Sequence, residues 1–168
     1  MMENQQKIIT LTGMWLCAIV GCTYGLVFTL GGYLLGWGPG GSMEGPLWKI
    51  VLTGVLSTVI AAYIGELVFR KLAKRIFEKN AGVLSTAVRA VLVSLIGSMI
   101  AFILGWEVGF IMGKITGAIT GLEWHTVLLY VPLMALIWGI PVCGIASLLY
   151  GIFVFIYLRA RARKTHTD

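Results

Sequence analysis

Seven carboxylates and two histidines are the whole acid–base supply of this 168-residue chain, and they are scattered along it. The sole aspartate, Asp168, is the last residue, and no two acids are spaced as a catalytic pair. Neither HExxH nor GxSxG occurs, so a metal-bound water or an activated serine has no local scaffold. Gly109–Lys114 has the outline of part of a phosphate loop, but the spacing is short and no Ser or Thr follows Lys114. Such a loop needs both its glycine spacing and a hydroxyl for the metal. Cys17, Cys22 and Cys143 lie within apolar runs without CxxC or Cys/His spacing, a pattern that leaves them as small apolar packers rather than redox or zinc ligands. Catalysis requires a positioned acid, base or nucleophile. The expectation is therefore a protein that is not an enzyme, with no catalytic residue, no metal and no cofactor.

Two looser constellations remain. Trp48, Glu107, Glu123, Trp124 and His125 fall near the ends of apolar runs and could line a pocket at one membrane face, although anchoring at the interface explains the same residues. Pro132 and Pro141, with Trp138 and Gly139 between them, would bend a helix and free backbone carbonyls. A bent helix beside Thr23, Tyr24, Ser57 and Thr58 could open a small polar cavity, or simply fix a packing angle. Val154–Arg159, centred on Tyr157, fits a cholesterol-contact pattern too loose to carry weight.

The elements that would hold these residues follow from composition. Hydrophobic residues make up 58% of the chain and charged ones 12%, about half the charge of a soluble domain. Hydrocarbon must be the solvent for most of it. Four apolar runs, Ile8–Gly36, Leu47–Phe69, Ser85–Met112 and Thr126–Leu158, each exceed the roughly 20 residues a membrane-crossing helix needs. The second holds twelve Leu, Ile, Val or Phe residues, worth about −4 to −7 kcal/mol on insertion, more than Glu66 costs. The first is too long for a signal-peptide core. The expected fold is all-α, a polytopic membrane protein of four transmembrane helices forming a single domain.

Charge sets the expected orientation. Arg70, Lys71, Lys74, Arg75, Lys79 and Arg89 form one basic group, and Arg159, Arg161, Arg163 and Lys164 the other; the stretch from Trp37 to Pro46 has no basic residue. The positive-inside rule places both basic groups and both termini in the cytoplasm, as a multi-pass protein of a prokaryotic plasma membrane. Arg70, Lys71, Lys74, Arg75, Arg159, Arg161 and Arg163 are then expected to meet anionic headgroups; nucleic acid, which needs a basic soluble surface, is not expected as a partner. Trp37, Trp48, Trp106 and Trp124 would collect at the outer interface. Arg70–Asn80 should continue the second span as a short helix, with Leu72, Ile76 and Phe77 touching the membrane. Asn80 and Gly82 would end it, and Ser85 or Thr86 would cap the third span.

The halves resemble each other at a constant offset of 76: Gly41, Gly45 and Trp48 fall on Gly117, Gly121 and Trp124. This predicts two parallel-repeat hairpins, 8–82 and 84–158, packed as a pseudo-twofold four-helix bundle. Small residues recur every four positions, at Gly97, Ala101, Gly105 and Gly109 and at Gly13, Cys17, Gly21 and Gly25, a spacing that lets backbones touch in lipid. Gly97–Gly109 should pack on the first span or a second copy, and Gly113–Gly121 should belong to the outer loop. The poor catalytic inventory and the close-packing faces together suggest a non-catalytic subunit of a larger transport or energy-transducing complex, whose partners are other membrane subunits or further copies of itself. The alternatives are a small transporter or channel with an outer-facing pocket between pseudo-symmetric halves, and an intramembrane enzyme acting on a lipid or quinone.

Overall fold

A computed structural model describes residues 2–35, 47–77, 82–117 and 123–164. Four α-helices follow in order: α1 (Met2–Leu35), α2 (Leu47–Leu72), α3 (Val83–Thr116) and α4 (Trp124–Lys164), with a 3-10 turn at Ala73–Arg75 after α2. Three helical segments, Val51–Arg75, Val83–Thr116 and Ala135–Arg163, are long and apolar enough to cross a bilayer. By length and composition they mark an integral, multi-pass membrane protein, and its helices pack as a bundle.

Each end has a local cause. Gly117 closes α3 in the left-handed conformation (φ 70°), its N–H reaching the Lys114 carbonyl at 3.2 Å, because glycine alone enters that region without a Cβ clash. The helix therefore includes Gly113, which is buried and is not part of the outer loop. At the other end of α3 the N-cap is Gly82, with no side-chain cap. Thr86 instead returns both its N–H (3.0 Å) and its hydroxyl (3.1 Å) to the Gly82 carbonyl. Ser85 and Thr86 thus lie inside the first turns. Pro132 and Pro141 fall within one continuous α4.

The segment after α2 also departs from expectation. The α-helix ends at Leu72, and Ala73 and Ile76 are buried among Ile9, Phe69, Tyr150 and Val154. Ile76 serves as core rather than as a membrane-touching residue, because the 3-10 turn rolls its side chain inward. Glu78–Asn80, and with them the proposed stop at Asn80, lie outside the described residues.

α3 is the organising element, packing extensively on α1, α2 and α4. α4 meets α1 only slightly, and α2 and α4 scarcely touch. Around α3 the order is thus α2, α1, α4, then an open side. Two buried clusters fill the interior. One joins Ile9, Cys17, Phe69, Ala90, Val93, Tyr150 and Val154; the other joins Val20, Phe102, Trp106, Phe110, Ala135 and Cys143. Trp106 is 1% exposed, edge-on to Phe102 at 5.7 Å and stacked on Phe110 at 6.5 Å. It is a core residue and not an interfacial anchor. Trp48 and Trp124 are exposed at the starts of α2 and α4, and Trp37 lies outside the described residues.

Small residues set the tightest approaches. A Cβ on Gly65 would stand 2.8 Å from the Ala101 Cβ and 3.2 Å from the Cys17 carbonyl oxygen, where α1, α2 and α3 converge. A Cβ on Gly144 would meet nothing within 4 Å. Gly65→Ala should cost about 1–3 kcal/mol through overpacking, whereas Gly144→Ala should be neutral or gain up to about 1 kcal/mol from helix propensity. Reversible SDS-induced unfolding in mixed micelles reads both.

Candidate functional site

Functional groups buried in a bundle are satisfied either by their own helix or by a neighbour, and only the second kind ties elements together. The buried hydroxyls are mostly of the first kind. Ser57 donates to the Gly54 carbonyl at 3.0 Å, Ser94 to Val91 at 3.0 Å and Ser98 to Leu95 at 3.2 Å. Thr53 donates to Lys49 at 2.8 Å and Thr116 to Met112 at 2.9 Å, while the two threonine oxygens lie 3.3 Å apart across α2 and α3. Back-bonding of this type hides a polar atom within one helix turn. Thr58 and Ser147 are buried with hydroxyls that find no partner. Thr23 and Tyr24, expected beside Ser57 and Thr58, have side chains outside the described residues.

The helix-packing residues are distributed over all three neighbours of the interior. Gly21 lies against the backbone of Ala61 and Ala62 on α2, with its missing Cβ 3.0–3.1 Å from them. Gly97 faces the Cys17 sulfur of α1 and Phe69 of α2, Ala101 faces Gly65, and Gly109 faces Ser57. Gly105 is buried within α3. The α3 stripe therefore meets α1 at Gly97 and α2 from Ala101 outward. Gly25 belongs to α1, and its surroundings lie outside the described residues.

The five candidate outer-pocket residues fall at two depths. His125 Nδ1 lies 3.0 Å from Glu123 Oε2, both groups well exposed, beside exposed Trp124 at the start of α4. Trp48 is likewise exposed at the start of α2. Glu107 is separated from them, about 14 Å along α3 from its C-terminal end at Thr116, at 1.5 Å per residue. Its Oε2 is buried with no hydrogen-bond partner. The exposed residues Ile96, Leu104 and Ile115 precede or follow it by eleven, three and eight positions, which puts Glu107 on their face of the helix. The buried Phe110, three residues later, and the core-packed Ile103 and Ile111, four residues to either side, neighbour it as closely, so Glu107 lies at the border between the exposed and the packed faces of α3.

At the opposite end the basic residues are exposed, apart from the half-buried Arg161. Arg70 pairs with Glu66 at 3.2 Å one turn earlier, a contact of a few tenths of a kcal/mol on a helix surface. Lys71, Lys74 and Arg75 are exposed. Arg159 lies 5.8 Å from the Phe155 ring and Arg161 5.7 Å from the Tyr157 ring, cation–π distances that align these cations along the end of α4. Arg163 is exposed near the end of the same helix.

One contact was not legible from spacing: the Tyr150 hydroxyl donates to the Ile9 carbonyl at 2.6 Å, and the Tyr150 ring meets Phe69 edge-on at 5.9 Å. It joins α4 to α1 where those helices otherwise barely meet. The available signal was a tyrosine deep in an apolar run, since a buried phenol needs an acceptor. No protein family, curated protein or solved structure matches the chain. Tyr150→Phe removes the donor with little change of shape, and should cost about 0.5–2 kcal/mol, the range for one interhelical hydrogen bond in lipid. The same SDS titration measures it, with α1–α4 cross-linking as a local readout.

Proposed function

We propose that α1 also crosses the bilayer, giving four spans with both termini and the 70–89 segment in the cytoplasm, arranged as hairpins 8–82 and 84–158 of a parallel repeat in a prokaryotic plasma membrane. The distribution of basic residues supports this orientation, as do Trp48 and Trp124 at the starts of α2 and α4. Cysteine labelling of single-thiol variants tests it: residues near 71 and 163 should react from the cytoplasmic side only. Labelling of the two positions from opposite sides would overturn both the orientation and the repeat.

Within that frame the protein is a non-catalytic subunit that packs by small-residue faces inside a larger transport or energy-transducing assembly, with its basic ends on anionic headgroups. The observation that carries this reading is the state of α4. This 41-residue helix rests on α3 with little support from α1 and turns large side chains outward along its whole length, among them Leu133, Ile137, Trp138, Ile145 and Ile152. A helix braced along one side leaves the rest of its surface free for other membrane helices, and Gly144, where an added Cβ would meet nothing within 4 Å, offers a small-residue approach on α4. The alternative of a solute path gains less support, since the buried hydroxyls of Ser57, Ser94 and Ser98 are turned onto their own helices. Purification in a mild detergent should recover other polypeptides in fixed stoichiometry. Recovery of this chain and nothing else would overturn the proposal, and solute flux from liposomes holding the chain alone would favour the alternative.

A further inference from the structure

The N-terminal end of α3 and the C-terminal part of α4 do not close fully on each other. A groove of about 260 Å³ runs between them. Its rims are the exposed Leu84 and Val88 on α3 and Leu148 and Ile152 on α4, with the buried Ala87 and Gly151 at its floor. From Leu84 to Val91 α3 rises about 10 Å at 1.5 Å per residue, which gives the groove a mean cross-section of roughly 25 Å². A helix at least 10 Å across needs about three times that. A single extended alkyl chain is thin enough.

One end of the groove is charged. Gly139 meets Phe102 and Gly151 meets Val91, so the two helices run antiparallel and in step. Arg159, eight residues past Gly151, therefore comes level with Val83, where α3 begins. Its guanidinium lies 5.8 Å from the ring of Phe155, and Phe155 itself lines the groove. The bordering stretches 83–91 and 148–164 carry five basic residues and no acid. A fitting ligand thus has an alkyl chain along the groove and negative charge at the Arg159 end, which in a bilayer describes an anionic phospholipid. A zwitterionic lipid offers the same phosphate and chains, but it adds an ammonium that no carboxylate in these stretches balances.

We propose that this groove binds one anionic phospholipid, with an acyl chain lying between α3 and α4 and the headgroup phosphate held by Arg159. This deepens the reading that the basic ends meet anionic headgroups and rests on it, turning a general attraction into one site.

The test places the whole chain in phosphatidylcholine vesicles doped with phosphatidylglycerol or phosphatidylcholine bearing a photoreactive diazirine on one acyl chain. Mass spectrometry locates the cross-linked peptides. The phosphatidylglycerol probe should label 84–91 and 148–155 about fivefold more than the phosphatidylcholine probe, the effect of one cation on an anionic lipid. Arg159→Gln should bring the two probes to parity, and Arg159→Lys should keep most of the preference. Lys71→Gln, the same charge change on α2, should alter it little; Arg159 and Lys71 are both exposed, so these variants should fold. Equal labelling of the groove by both probes, with a preference kept beside Arg70–Arg75, would overturn the site alone. Equal labelling at both places would overturn the headgroup reading with it. A groove preference that survives Arg159→Gln, or falls as far on Lys71→Gln, would also overturn the site.

Discussion

Between helices bathed in hydrocarbon, touching apolar side chains gains little that lipid would not supply, so the distance at which backbones meet decides which helices hold together. In this bundle that distance is set around one point. Gly65 of α2, Ala101 of α3 and the Cys17 carbonyl of α1 converge within the reach of a single methyl group. Gly21 against Ala61 extends the α1–α2 contact toward the C-terminal end of α1, and Gly97 against Cys17 extends α1–α3 toward the N-terminal end of α3. Dispersion energy falls steeply with separation, so these close seams secure α1, α2 and α3 as one unit. α4 is held differently: Gly139 receives the Phe102 ring and Gly151 receives Val91, so large side chains of α3 enter notches in α4.

That difference explains why Tyr150 matters out of proportion to its size. α4 lacks a close seam with α1, and the phenol bond to Ile9 supplies directionality where packing does not. The Ile9 carbonyl already serves its own helix, and its second lone pair accepts the Tyr150 proton. The ring fills the space beside Phe69, whose side chain in turn occupies the notch left by Gly13. Glycine, phenylalanine and tyrosine there act as one interlocked set across α1, α2 and α4.

The parts legible from sequence were those governed by solvent. Apolar run length located α2, α3 and α4 to within a few residues at most of their ends, because hydrocarbon permits few alternatives to a continuous helix. What stayed hidden depended on rotation about the helix axis or on depth. Trp106 reads as interfacial by residue type, yet the four-residue rhythm of Phe102, Trp106 and Phe110 makes it part of one aromatic ridge facing α4 and α1. Ile76 reads as a membrane-touching residue of a continued helix, and a switch to 3-10 geometry turned it inward. Glu107 was grouped with Glu123 and His125 as if α3 ended near Met112; the helix runs on to Thr116, which leaves the acid deeper than the other members of that group.

Register along the bundle has a consequence for how the protein sits in lipid. With Gly65 opposite Ala101, α2 ends seven residues after this level, at Leu72, whereas α3 begins eighteen residues before it, at Val83. The N-terminal end of α3 therefore runs about 16 Å past the end of α2 at 1.5 Å per residue. α1 and α4 accompany it: α1 begins at Met2, fifteen residues before Cys17, and Gly151 of α4 packs on Val91 before that helix continues to Lys164. The outward side of this end is apolar: Leu84, Val88, Ile152 and Ile156 are all exposed on it, and in water such a surface would be driven to cover itself. A bundle upright in the bilayer would leave those residues outside the hydrocarbon. A tilted one keeps more of that length within it, and hydrophobic length in excess of bilayer thickness is relieved in this way at small cost.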